Sequence, residues 1–270
     1  MRPWNPSPSV RILRVLGGSL IAIEFLTPLR IRRVQTYDDR TFAEALGWYP
    51  LAGLLIGAVL ALLDRGLSEL LPPGPTAALL VTALALLSGG LHLDGVADTA
   101  DGMAVQGDRT RRLTVMSEGT TGPAGVMALV LILLAEWSAL ASLPPDARFA
   151  ALLLAPALAR WTVVPVGLAF RPARTTGLGH AIHRGQWPLA APLATAIAFA
   201  VALVTFGLPG LALVAIGALA ALLLAASAAR LLEGVTGDVY GAAIEVAQVA
   251  VWLGVVAAVS RGWAEPLFGQ

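Results

Sequence analysis

The strongest chemical signal in the chain is the run Gly89-Gly90-Leu91-His92-Leu93-Asp94-Gly95-Val96-Ala97-Asp98-Thr99-Ala100-Asp101-Gly102. Its three aspartates stand at i, i+4 and i+7, which on a helix places Asp94, Asp98 and Asp101 within roughly 60° of one another. Small residues between them leave room for a bulky ligand or a second helix. Like charges this close raise one another's cost of ionisation unless a cation lies between them. Hard divalent cations with oxygen ligands, chiefly Mg²⁺, meet that need and bridge to substrate phosphates. The bland alternative is a solvated acidic face. Its position directly after an apolar run argues for the metal, but the spacing alone does not name a reaction.

Other polar clusters complement this stripe. Arg109, Arg111 and Arg112 follow closely; arginines beside acids suit a pyrophosphate ligand, with cations on the phosphates and carboxylates on the metal. They equally suit membrane anchoring at a cation-rich face. Arg160 lies inside an apolar run, where insertion costs roughly 2.5–3.5 kcal/mol, so it either pairs with Glu136 or holds a phosphate in a polar cavity. Arg171 and Arg174 precede His180 and His183, whose i, i+3 spacing has no third metal ligand in register. In Gly234-Val235-Thr236-Gly237-Asp238-Val239-Tyr240-Gly241-Ala242-Ala243-Ile244-Glu245, Thr236 or Asp238 is the expected N-cap of the last helix. Glu245 falls on the face of Asp238, two turns into an apolar span, and is expected to point toward the acidic stripe.

The elements that must carry these residues are membrane helices. The chain has 270 residues, 57% of them apolar, 13% charged, and a mean hydropathy of +0.77. That composition fits an all-α, polytopic integral membrane helix bundle, one domain over 1–270. Net charge of +1 argues against nucleic acid as a partner. Lys is absent, which excludes Schiff-base chemistry, and Cys is absent, which excludes thiolate chemistry. The N-terminus shows no signal-peptide pattern. Seven spans are expected at about 43–63, 76–93, 122–143, 149–170, 189–207, 210–229 and 239–260. The segment from Arg11 to Arg30, broken by Glu24 and Pro28, is expected not to cross. That arrangement gathers most arginines on one side, with only Arg65, Arg148 and Arg261 opposite. The rich side is then cytoplasmic, and every polar cluster meets it.

With these motifs in view, the chain resembles the cobalamin 5′-phosphate synthase family, also called adenosylcobinamide-GDP ribazoletransferases. The resemblance runs from about Glu24 to Trp252. It rests on the 89–102 and 236–245 motifs, with support from Gly47-Trp48-Tyr49-Pro50-Leu51-Ala52-Gly53, Arg160, Arg171, Arg174 and Gly177-Leu178-Gly179. It implies a Mg²⁺-dependent transferase of the cell (cytoplasmic) membrane. Such an enzyme moves the adenosylcobinamide phosphate moiety from adenosylcobinamide-GDP to α-ribazole or its 5′-phosphate and releases GMP. Two departures stand out. The family's Asp-Ser-Arg-hydrophobic-Gly pattern is Glu118-Gly119-Thr120-Thr121-Gly122 here, and its Thr-Arg-hydrophobic-Pro order is Thr27-Pro28-Leu29-Arg30.

On this basis the expected site has Asp94, Asp98 and Asp101 as catalytic and metal-binding acids, joined by Asp238 or Glu245. Arg109, Arg160 and Arg174 are expected at the phosphates. Lipid surrounds the bundle, and a homo-oligomer is compatible with it. Competing readings are a UbiA-like prenyltransferase, a CDP-alcohol phosphotransferase and a cation transporter. The first wants a second dense Asp motif, and the second an Asp-Gly-x-x-Ala-Arg start. A transporter more often places its ion ligands near the bilayer midplane. The topology has a direct check in this Cys-free chain. Single cysteines placed in the 109–112, 171–184 and 230–237 loops should all resist impermeant thiol reagents in intact cells, and labelling of one loop alone would break the seven-span arrangement.

Overall fold

The computed structural model describes residues 8–30, 45–184 and 189–267. The arginines expected at positions 2, 32, 33 and 40 lie outside the described residues. Twelve helices are seen among the described residues: α1 (Pro8–Leu26), α2 (Tyr49–Ser68), α3 (Pro73–Leu87), α4 (Leu91–Ala104), α5 (Arg109–Val115), α6 (Pro123–Ser142), α7 (Pro145–Trp161), α8 (Val163–Ala169), α9 (Leu178–Arg184), α10 (Ala190–Phe206), α11 (Pro209–Leu232) and α12 (Gly237–Ser260). The protein is thus an all-α, polytopic membrane bundle, and each of the seven expected windows holds a helix.

Helix lengths refine that picture. The helices α2, α6, α11 and α12 and the α7–α8 pair are long and apolar enough to cross a membrane. At 17 residues, α10 is short of the roughly 20 that a span needs. The run expected over 76–93 stops earlier, at Leu87, and α4 leaves at 89° to α3. Gly89 and Gly90, with φ of 61° and 70°, make this corner, in a region that side chains disfavour. The three aspartates thus sit on α4, past the corner, where it packs against α12 and α6.

Helix α7–α8 is the centre, with 83% of its most apolar stretch buried, whereas α6 has 22%. Lipid-facing helices accordingly carry leucine all round, as a surface in hydrocarbon requires. The broadest pairing is α2 on α7, followed by α11 on α12 and α4 on α12.

The two ends of the bundle differ chemically. At the end away from α4, Asp64 of α2 meets Arg148 of α7, both buried, with Nε to Oδ1 at 2.7 Å. Ser68 accepts from Arg148 Nη2 at 2.8 Å and donates to Asp64 at 3.2 Å, so the pair is nearly saturated. Arg65 lies over the Phe149 ring beside it. Two of the three arginines expected on the cation-poor side are therefore found together at this end.

Removing one partner of a buried ion pair strands the other charge, at roughly 3–5 kcal/mol. Arg148→Met should lower the melting midpoint of the purified protein sharply, and adding Asp64→Leu should recover most of the loss. Equal melting of the single variant and the parent would show that the pair does not brace this end.

Candidate functional site

Two helices far apart in sequence cross at glycines. A Cβ on Gly95 of α4 would lie 2.7 Å from the Asp238 carbonyl oxygen and 3.2 Å from Gly241 Cα. A Cβ on Gly241 of α12 would meet His92 and Gly95 backbone at 3.4 and 3.5 Å. Only at such a crossing do the backbones touch, and that contact brings the first acidic motif against the second. Thr236 caps α12 by accepting from Val239 N–H at 3.3 Å, and its hydroxyl donates to Asp238 at 3.0 Å. The segment from Arg171 packs alongside through reciprocal bonds, Ala173 N–H to Val235 O and Val235 N–H to Arg171 O, both 2.9 Å.

A cavity of about 230 Å³ opens where these segments meet. Asp94, Asp238 and Arg174 line it, together with Thr236, His180 and Tyr240. Asp94 is exposed, while Asp98, Arg174 and Asp238 are half-buried. The Asp98 carboxyl is pushed up to about 6 by partial burial, helped by Asp94, Asp238 and Asp101, with Arg174 opposing. Asp98 itself is not among the residues that line the cavity.

The other expected site residues go elsewhere. Asp101 accepts the Gly122 and Gly125 backbone N–H groups at 2.6 and 2.8 Å, one on each carboxylate oxygen. It thereby satisfies the open first turn of α6 and sits at the positive end of its dipole. That role accounts for its charge without a metal.

Glu245 turns away from the stripe rather than toward it. Its Oε1 lies 3.5 Å from His92 Nδ1, and its Oε2 accepts from Gln248 at 3.4 Å. Gln248 also donates to Glu136 at 2.8 Å and accepts from Arg160 Nη1 at 2.9 Å. Arg160 is wholly buried. It therefore meets Glu136 through Gln248, and the phosphate-holding position expected of it is filled by protein. Charges this deep need partners, and four helices supply them to one another.

Arg109 donates through Nε to Leu232 O at 2.9 Å and through Nη2 to Ala173 O, tying α5 to the end of α11 and to the loop after α8. Arg112 closes the end of α4 through Gly102 O and Met103 O at 3.1 and 2.6 Å. Of the three arginines expected at phosphates, Arg174 alone lines the cavity, held by a bond to Leu113 O at 2.8 Å. Glu118, in the stretch that departs from the family pattern, pairs with Arg111 at 3.3 Å on the surface, and Thr120 is not among the cavity's residues.

Among the described residues no three acids or histidines form a ready-made metal site. Sequence reasoning missed Gln248, Tyr49 and Tyr240. The signal for Gln248 was present: a lone amide one turn after Glu245 in an apolar span.

Fold and site together define a polytopic membrane protein whose acids and one cation converge on a cavity at one end of the bundle. The family model described as cobalamin-5-phosphate synthase matches residues 18–256. The chain belongs to that family. A relative from Pseudomonas paraeruginosa, named adenosylcobinamide-GDP ribazoletransferase, is 43% identical over 87% of this chain and 96% of its own length. Relatives of the same name from Geotalea daltonii and from a Roseiflexus species are 34% and 35% identical, over 88% and 84% of this chain and 96% and 85% of their own. No solved structure matches the chain.

Asp101 and Asp98 should separate in their effects. Asp101→Asn leaves one of two N–H groups poorly served, a loss comparable to a helix cap, about 0.5–2 kcal/mol. Its melting midpoint should fall, whereas Asp98→Asn should melt at or above the parent because repulsion is relieved. The reverse order would mean that Asp101 is not the brace of α6.

Proposed function

We propose that this chain transfers the adenosylcobinamide phosphate moiety of adenosylcobinamide-GDP to α-ribazole or α-ribazole 5′-phosphate, releasing GMP, with Mg²⁺ as cofactor. The observation that carries the reading is the cavity where Asp94, Asp238 and Arg174 meet in a chain of this family. Two carboxylates beside a guanidinium suit a diphosphate ester: hard oxygen donors for the metal and a fork of N–H donors for phosphate oxygens. Mg²⁺ is commonly held by one or two carboxylates plus substrate phosphates, so the absence of a three-acid cluster among the described residues is compatible with it. Asp94 and Asp238 would hold it, with Asp98 one turn behind. Bound there, the metal neutralises charge on the transferring and leaving phosphates.

The chain's own residues have separate tasks. Arg174 orients the diphosphate from the side opposite the acids. The Gly95–Gly241 contact sets the spacing between Asp94 and Asp238, so that the phosphorus is held in line with the incoming ribose hydroxyl. The new P–O bond forms as the diphosphate bridge breaks. GMP keeps the bridging oxygen, and the hydroxyl proton is released to water.

The cation-transporter reading is less well supported. The cavity opens at one end, while the buried ion pair found at the other end is saturated by Ser68. The positive-inside pattern supports a cytoplasmic location for the cavity and the cytoplasmic membrane as its home.

Purified protein incubated with adenosylcobinamide-GDP, α-ribazole and Mg²⁺ should yield a cobalamin product by mass analysis. Chelation should stop it and added Mg²⁺ restore it. Asp94→Asn, Asp98→Asn and Asp238→Asn should each cost about 10²-fold or more in turnover while the protein stays folded. Near-normal turnover of all three at saturating Mg²⁺ would overturn the assignment of these acids.

A further inference from the structure

Three side chains that line the cavity end in polar atoms with no hydrogen-bond partner among the described residues. They are Tyr49 Oη, Tyr240 Oη and His92 Nε2. The residues come from α2, α12 and α4 and are only 2%, 3% and 2% exposed. A buried polar atom left unpaired costs about 1–3 kcal/mol, and native proteins keep few. Three among the residues that line one cavity mark a place where water or a ligand supplies the partners. None of the three takes part in the diphosphate chemistry assigned above, which uses the more exposed Asp94, Asp238 and Arg174.

The chemistry of the wall says what that partner is. Glu245 lies at 3.5 Å from His92 Nδ1. Arg160 Nη2 lies at the same 3.5 Å from Nδ1, so Nε2 donates or accepts according to which ring nitrogen carries the proton. The two phenols can each donate and accept. The wall therefore offers two hydroxyls and one ring nitrogen within a few side chains, a match for the hydroxyls of a sugar. Around it the surface is flat and apolar: the Phe25 ring stacks on Tyr49 at 6.2 Å and 17°, with Leu26 and Ile244 beside them. A free sugar leaves that apolar surface unmatched, and an acyl chain leaves the three polar atoms unmatched. A nucleoside with a flat, apolar aromatic base satisfies both.

We infer that the buried inner end of the cavity is the subsite for the acceptor nucleoside, its base against Phe25 and its ribose hydroxyls on Tyr49, Tyr240 and His92 Nε2. The inference rests on the transferase reading and assigns it residues. It places the attacking hydroxyl on the inner wall and the donor's diphosphate at the exposed acids and Arg174. Glu245 acquires a purpose here as a positioning residue that fixes the imidazole.

The test is equilibrium binding of radiolabelled α-ribazole to the purified full chain without donor, alongside steady-state kinetics. Tyr49→Phe and Tyr240→Phe keep the rings and delete only the hydroxyls. Each should weaken α-ribazole binding about 3- to 10-fold, the range of one hydrogen bond, and the double variant by more than either. KM for α-ribazole should rise while KM for adenosylcobinamide-GDP stays within about twofold. Melting midpoints should hold or rise, since an unpaired buried hydroxyl is removed. Unchanged α-ribazole binding in the double variant, or loss of donor affinity instead, overturns the subsite. The reading beneath it fails separately: if the parent forms no product yet binds α-ribazole and the Phe variants bind it less, the subsite stands and the reaction falls.

Discussion

The site depends on one contact, the crossing of α4 and α12 at Gly95 and Gly241. Between membrane helices there is little hydrophobic drive, because lipid is as apolar as the side chains it would displace. Dispersion and close backbone approach must hold the pair, and both fall off within fractions of an ångström. With a Cβ on Gly95 only 2.7 Å from the Asp238 carbonyl, any side chain there would push α12 away. Asp94 and Asp238 would separate with it. The cavity's dimensions are thus set by two residues that carry no functional group.

Around that crossing, charge is sorted by depth. Arg160, Glu136, Glu245, His92 and Gln248 are buried and bond to one another across α4, α6, α7 and α12, with Arg160 Nε and His92 Nε2 left over. Asp94, Asp98, Asp238 and Arg174 sit nearer the surface, where incomplete pairing costs less and a charged ligand can enter. Along the cavity lie Tyr49, Tyr240 and His92, whose Oη and Nε2 atoms have no partner among the described residues. A third group, Asp101, Arg109 and Arg112, ends on backbone N–H or carbonyl groups and braces the segments that frame the cavity.

Much of this could be read from the chain. Hydropathy located seven helical windows, because 20-residue apolar runs have few other uses. Helical phase put Asp94 and Asp98 on one face and His92 about 160° away from Asp94, which agrees with acids near the surface and an imidazole turned inward. Local sequence narrowed the N-cap of the last helix to Thr236 or Asp238, and Thr236 takes it. What escaped was the identity of neighbours. Asp101 shares the phase of Asp94, yet it meets the start of α6, whose approach no local pattern announces. Glu245 shares the phase of Asp238, yet two turns of rise carry it past the stripe to His92. The corner at Gly89-Gly90 was hidden because an apolar run reads the same whether it continues straight or turns after Leu87.

The order of elements along the chain bears on how the protein is made. The acidic helix α4 is synthesised early, but Asp238, Tyr240 and the Gly241 face belong to the last helix. Domains and helices emerge from the ribosome N-terminus first, so the part of the cavity wall that carries Asp238 and Tyr240 does not exist until translation is nearly complete. Until then Arg160 and Glu136, already placed in the bilayer by α7 and α6, lack the Gln248 bridge that joins them. The nascent bundle therefore holds costly unpaired charge that the arrival of α12 relieves. Docking of the final helix thus brings Gln248 between Arg160 and Glu136 and Asp238 to the cavity in one step, so a chain broken off before it lacks both.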